Sequence, residues 1–212
     1  MLLENHGKPR WSFYTVWIIL TFLCVPIGFF LSLFILRIIS SFVGDFIYVD
    51  GVRHITEDYL GLYVLVPVIG LLTGVLQYGL LRRYLPRMGW WVAATIGGWL
   101  LGGLLIAIPG WLNRTDGSIK PDLAFILMGL GIGAGQWLLV RRRLSGAGWW
   151  IGANVVGWGL LGLVTTGNGV GQLELFAFGL LPACATAATL ALLIKSAYSR
   201  RAERRGDETP LP

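Results

Sequence analysis

The chain alternates long apolar runs with short polar breaks, and the runs have the length of membrane-crossing helices. Six of them carry almost no interior charge: residues 12–39, 60–81, 90–111, 123–140, 149–166 and 173–194. A bilayer core of about 30 Å is crossed by about 20 apolar residues in a helix. In hydrocarbon only a helix or a closed barrel satisfies its own backbone hydrogen bonds, and these runs lack the strict alternation of barrel strands. The first run is too long for a signal-peptide core and no small-x-small site closes it, so it reads as a retained anchor, tilted or kinked near Pro26 and Gly28. After it, "IYVDGVRHI" sets β-branched residues around Asp50-Gly51 and predicts a short hairpin on the membrane surface.

A second pattern overlies the first. Residues 70–104 align without gaps on residues 129–163, always 59 positions apart, with 17 identities in 35 positions. Among them are Gly70/Gly129, Gly74/Gly133, Gln77/Gln136, Arg82/Arg141, Arg83/Arg142, Trp90/Trp149, Trp91/Trp150 and Trp99/Trp158. Each copy holds two crossings joined by a basic turn. Even-numbered crossings give both copies the same orientation, so the expected symmetry is a pseudo-two-fold along the membrane normal. The expected fold is thus all-α: a polytopic six-helix bundle over 12–195 with duplicated central hairpins, a short amino end over 1–11, and a polar, disordered tail over 196–212.

Charge sets the orientation. Lys8, Arg10, Arg82, Arg83, Arg87, Arg141, Arg142, Arg143, Lys195, Arg200, Arg201, Arg204 and Arg205 fall on one side of this topology, against Arg37, Arg53, Arg114 and Lys120. Positive residues stay inside, so both termini are expected in the cytoplasm and the chain in the plasma (inner) membrane. With 55% hydrophobic and 13% charged residues, the composition lies outside what a soluble domain of this length usually carries, and membrane is the leading class. The net charge of +6 reflects topology, with a tail suited to anionic lipid headgroups, and no nucleic acid is expected as partner.

Candidate chemistry is sparse. Gln77 and Gln136 lie five residues inside the arginines, where an unsatisfied amide is costly. At equal depth on the returning helices stand Thr95 and Asn154, with Trp99 and Trp158 one turn further. Hydrogen bonds within each hairpin, Gln77 to Thr95 and Gln136 to Asn154, account for the layer as structural glue; the alternative is a polar path in which the two layers converge. Trp90, Trp91, Trp149 and Trp150 beside Arg82, Arg83, Arg141 and Arg142 read as an interfacial aromatic belt with the inside signal, or alternatively as a pocket for an anionic headgroup. Gly70-xxx-Gly74, Gly98-xxx-Gly102, Gly129-xxx-Gly133 and Gly131-xxx-Gly135 predict close helix contacts in the bundle or at a dimer face. Glu174 reads as an interfacial acid, Cys24 and Cys184 as buried free thiols, and Asn113-Arg-Thr115 as a weak glycosylation acceptor. His54 lacks a second soft ligand, so no metal site is expected. No catalytic motif or cofactor signature occurs either.

The pattern Gly-x3-Gly-x2-Gln-(Trp/Tyr)-x2-(Leu/Val)-Arg-Arg followed by Trp-Trp and Gly-Trp resembles uncharacterised bacterial multi-pass membrane proteins built from such tandem hairpins. It covers residues 70–163, with Tyr78 and Thr95 in the first copy where the second has Trp137 and Asn154. The resemblance implies class and location and no activity. The expected function is that of a non-catalytic membrane subunit or binding module, with membrane lipids, a second copy or a membrane-complex protein as partner. The alternative is a small transporter or channel lined by Gln77, Thr95, Gln136 and Asn154.

Overall fold

The computed structural model describes residues 9–85, 88–113, 121–164 and 172–207, with side chains over 9–85, 88–107, 123–163 and 179–200. In chain order it holds α1 (Trp11–Val43), the strands β1 (Phe46–Val49) and β2 (Val52–Ile55), α2 (Thr56–Leu81), α3 (Trp91–Asn113), α4 (Pro121–Val140), α5 (Gly148–Val164) and α6 (Gln172–Asp207). Among the described residues, four spans are long and apolar enough to cross a membrane: Trp11–Val43, Thr56–Leu81, Leu123–Val140 and Gly179–Arg200. The described apolar part of α3 and the 17-residue α5 are shorter. The surface matches a lipid solvent. Phe30, Phe34, Phe42, Leu163 and Leu192 are exposed, while Thr73, Gln77, Thr95, Gln136 and Asn154 are buried. The bundle is apolar outside and polar at its centre.

Each helix packs antiparallel on the next, and α6 returns to α1 to close a six-membered ring. Gly28 lies on Ile69, Gly179 on the backbone of Phe22, and Gly157 on the backbone of Pro182, which joins α1 to α2 and α6 to both α1 and α5. The tightest seam is α3 against α4. A Cβ on Gly131 would fall 2.3 Å from the Gly102 nitrogen, and one on Gly135 would fall 2.5 Å from the Ala94 carbonyl oxygen. The stripe Gly98-xxx-Gly102 of α3 and the stripe Gly131-xxx-Gly135 of α4 therefore face each other, while Gly129 and Gly133 of α4 face α5.

The hairpin forms as the sequence predicts. Ile47 pairs with His54, and the turn residues Asp50 and Gly51 both take positive φ, at 50° and 80°, the requirement of a tight two-residue turn matched to strand twist. Gly44, at φ 100°, ends α1. The Thr56 hydroxyl then donates to the Gly44 carbonyl at 2.6 Å, tying the start of α2 to the end of α1. Arg37 and Ser40 both bond Glu57 nearby, at 3.3 and 3.2 Å.

Several boundaries differ from expectation. α1 extends from Trp11 to Val43 and passes Pro26 as one helix, since apolar and small residues continue past residue 39. α6 runs to Asp207, so the segment from 196 assigned to a disordered tail is helical that far; its Ala, Arg and Glu residues are good helix formers, and Arg200 bonds back to Ser196. Cys24 is buried as expected but Cys184 is exposed, at the edge of the α6 face that buries Ala183, Thr186 and Ala187. Glu174, Arg87 and the Asn113-Arg-Thr115 acceptor lie outside the residues or side chains described.

The α3–α4 seam generates a prediction. Gly131→Ala should destabilise the bundle by about 1–3 kcal/mol, because backbone must move to admit the methyl group. Gly97→Ala, whose Cβ meets nothing within 4 Å, should be neutral or stabilise by up to about 1 kcal/mol. Thermal unfolding in one detergent reads both, and an equal loss in the two variants would contradict the seam.

Candidate functional site

On α3, Trp91, Thr95 and Trp99 recur every fourth residue and so share a face; on α5, Trp150, Asn154 and Trp158 do the same. All six side chains are buried. Both faces turn toward the ring's interior, where they meet Gln77 of α2 and Gln136 of α4.

The two glutamines bond directly. Gln136 Nε2 donates to Gln77 Oε1 at 3.1 Å and to the Thr95 hydroxyl at 3.1 Å. Its Oε1 accepts the Trp150 indole N–H at 3.0 Å, and Gln77 Oε1 accepts that of Trp91 at 3.3 Å. Gln77 Nε2 donates to the Thr21 hydroxyl of α1 at 3.2 Å. Alongside, the Trp17 indole donates to Thr186 of α6 at 3.2 Å, so α1 and α6 join the same polar centre. Every donor and acceptor of Gln136 is engaged except one lone pair. A buried amide in that condition fixes geometry instead of offering free valence to a passing solute.

Three pairs of residues 59 positions apart touch one another. Beside the Gln77–Gln136 bond, Trp91 and Trp150 meet edge to face at 6.0 Å between ring centroids, and Trp99 and Trp158 do so at 5.2 Å. Their supports recur too: Gly70 lies under the Cβ of Trp99 and Gly129 under that of Trp158, while Gly74 and Gly133 receive Thr95 and Asn154.

These contacts stack in layers. Toward the basic turns, Trp17, Leu81, Trp91, Val140 and Trp150 form one apolar cluster. The glutamine node follows, with a recess of about 30 Å³ beside it, lined by Thr73, Asn154 and Thr186 among others. That volume holds about one water molecule. Next come Trp99 and Trp158, which line the recess on one side and on the other a far larger cavity of about 520 Å³. Val25, Phe29, Leu65, Val66, Ile69, Phe125 and Met128 contribute to its apolar wall, which lies toward the hairpin end of α1 and α2. The exposed Leu62 sits on its rim. Among the described residues the Trp99 indole N–H is the one buried side-chain polar atom without a partner. An unmet buried donor of this kind costs about 1–3 kcal/mol.

Sequence reading located this site and misassigned some of its bonds. Gln136 bonds Thr95 of the other hairpin, while Asn154 donates to the Trp150 carbonyl of its own helix at 2.9 Å. The expected pairs within hairpins, Gln77 with Thr95 and Gln136 with Asn154, give way because Thr21 takes the Gln77 amide and the backbone takes that of Asn154. The tryptophan pairs split. Trp90 and Trp149 are each 76% exposed, as a belt requires, whereas Trp91 and Trp150 are 1% and 0% exposed and leave the interface for the core. The signal for this was the four-residue stripe, together with a 14-residue separation from each glutamine that recurs in both copies. Thr21 and Trp17, outside the repeat, carried no comparable signal. Arg82, Arg83, Arg141 and Arg142 stay exposed, with the Arg141 guanidinium 4.6 Å over the Trp137 ring. His54 packs on Tyr59 at 5.2 Å, and no three His, Cys, Asp or Glu gather among the described residues.

Comparison of the chain with protein-family models, with curated protein sequences and with solved structures gave no match.

The node makes a specific prediction. Gln136→Leu should cost about 1–3 kcal/mol, because the Trp150 N–H and the Thr95 hydroxyl lose their partner. Gln77→Leu and Gln136→Leu together should cost less than the sum of the two single changes. Additive losses in thermal unfolding would show that the amides do not interact.

Proposed function

We propose that this chain is a non-catalytic integral membrane protein that binds an apolar molecule of the bilayer within its helical ring. The observation carrying the reading is the apolar cavity of about 520 Å³, within the range of small-molecule sites and closed on one side by the Trp99–Trp158 pair. In this reading all six helices cross the inner membrane with both termini cytoplasmic, as the distribution of Lys and Arg favours. The central hairpins are related by a pseudo-two-fold along the membrane normal. Direct contact between residues 59 apart supports such an axis, because equivalent side chains meet only where they lie beside it. Membrane lipids are the expected partners, together with a second copy or another membrane protein on the exposed apolar faces.

The transporter reading fits less well. A path through Gln77, Thr95, Gln136 and Asn154 needs free polar valence and room, and this layer has bonded amides around about 30 Å³. Native mass spectrometry of protein released from nanodiscs tests the choice. The wild type should retain an apolar species at fixed stoichiometry. Ala124→Trp, which fills the cavity wall, should lose it. Equal retention by both would refute the cavity as the binding site, and a proton or ion flux in liposomes that Gln77→Leu with Gln136→Leu abolishes would favour transport.

A further inference from the structure

The polar centre departs from its own symmetry at one place. Gln136 Nε2 donates directly to the Thr95 hydroxyl at 3.1 Å. The equivalent bond, 59 positions away at both ends, would run from Gln77 Nε2 to Asn154. Gln77 Nε2 donates instead to the Thr21 hydroxyl at 3.2 Å, and the Asn154 amide nitrogen bonds the Trp150 carbonyl. The ring gives the reason: α3 packs on α4, whereas α1 and α6 stand between α2 and α5. The Asn154 side-chain oxygen is left without a donor among the described residues. Trp99 holds the one unpartnered polar side-chain atom there that is wholly sealed, so the Asn154 oxygen keeps surface that a water-sized sphere touches. Asn154 as a whole is 3% exposed, and it lines the recess of about 30 Å³ together with Thr21, Thr73 and Gln77. That recess occupies the place of the symmetric bond.

Its wall specifies the occupant. The Thr21 hydroxyl accepts from Gln77 and still has its own hydrogen to give, since an O–H both accepts and donates. The Asn154 oxygen only accepts. Thr73 supplies a further hydroxyl where the other copy has Ile132, which lines the recess as well. No carboxylate lines it, and an unpaired cation in such surroundings is costly. A single water matches both the volume and the valences, because a buried water makes about three hydrogen bonds. We infer that the recess binds one ordered water, which accepts from the Thr21 hydroxyl, donates to Asn154 Oδ1 and takes Thr73 as its third partner. The relay from Gln77 through Thr21 and the water to Asn154 then does in three steps what Gln136 and Thr95 do in one. It ties α5 to α1 and α2. The inference is independent of the large cavity, from which Trp99 and Trp158 separate the recess.

The test measures magnetisation transfer from water to the side-chain amides of the full chain in nanodiscs, with ¹⁵N at its four asparagines. Asn154→Thr, which installs the residue of the other copy, identifies the Asn154 signal by its loss. In the wild type that signal should receive transfer from a bound water although the residue is buried. Thr21→Val keeps the side-chain volume and removes the hydroxyl, so it should weaken the transfer by about fivefold, the change expected for one lost hydrogen bond. A resolved Asn154 signal that receives no transfer in the wild type would overturn the inference. So would transfer of full strength in Thr21→Val. A shift of the Asn154 signal when sodium replaces potassium at constant ionic strength would mean that a cation takes the recess, and would overturn it as well.

Discussion

A single amide-to-amide hydrogen bond, from Gln136 to Gln77, organises the interior of this bundle. Its weight comes from the solvent. In a lipid-facing protein the outer surfaces of the helices are as apolar as the surroundings, so burying leucine against leucine gives little association between helices. Close packing and internal hydrogen bonds carry it instead. The two amides collect donors and acceptors from four helices: Thr21 on α1, each other on α2 and α4, and Trp91 and Thr95 on α3. Trp150 brings in α5, and the neighbouring Trp17–Thr186 bond ties α1 to α6.

Close packing does the rest. The glycines of α3 and α4 let two backbones come within contact of one another at the junction between the hairpins. Gly102, Gly131 and Gly135 have no glycine at the position 59 residues away, so this seam is separate from the repeat that supplies the amides and indoles. The hairpins are held internally by repeated glycine–tryptophan contacts and joined by a seam found once. The glutamine bond crosses between them at the same depth. This arrangement leaves the hairpin end of the ring less filled than the basic end, where Trp17, Trp91 and Trp150 pack together, and the large cavity lies in that less filled half.

Much of this was legible in the sequence, for physical reasons. Apolar runs report lipid directly, and the 59-residue repeat marked Gln77, Gln136, Trp99 and Trp158 before any coordinates. The Asp50-Gly51 turn was legible because positive φ at two successive positions leaves few residue choices. What the sequence did not disclose is which of several adjacent polar groups bond. Thr95 and Asn154 occupy equivalent positions, yet one serves the opposite hairpin and the other its own backbone, a choice settled by Thr21 on a helix outside the repeat. Within each Trp-Trp pair, membership of the belt or the core depends on a 100° step around the helix, and the basic turns hid that distinction by flanking both. The cavity was invisible for a different reason. It arises from how five helices, α1 to α5, diverge, and the apolar stripe that α2 gives it, Leu62, Leu65, Val66 and Ile69, looks in the sequence like any other face of an apolar helix.

Hydrogen exchange at the indole nitrogens tests the closed polar centre most directly. With the protein in nanodiscs transferred to heavy water, the N–H groups of Trp91 and Trp150 should exchange far more slowly than those of the exposed Trp90 and Trp149. Exchange of Trp91 and Trp150 at the rate of their exposed neighbours would mean that water passes through the glutamine layer, and would contradict this account of a sealed node beneath an apolar cavity.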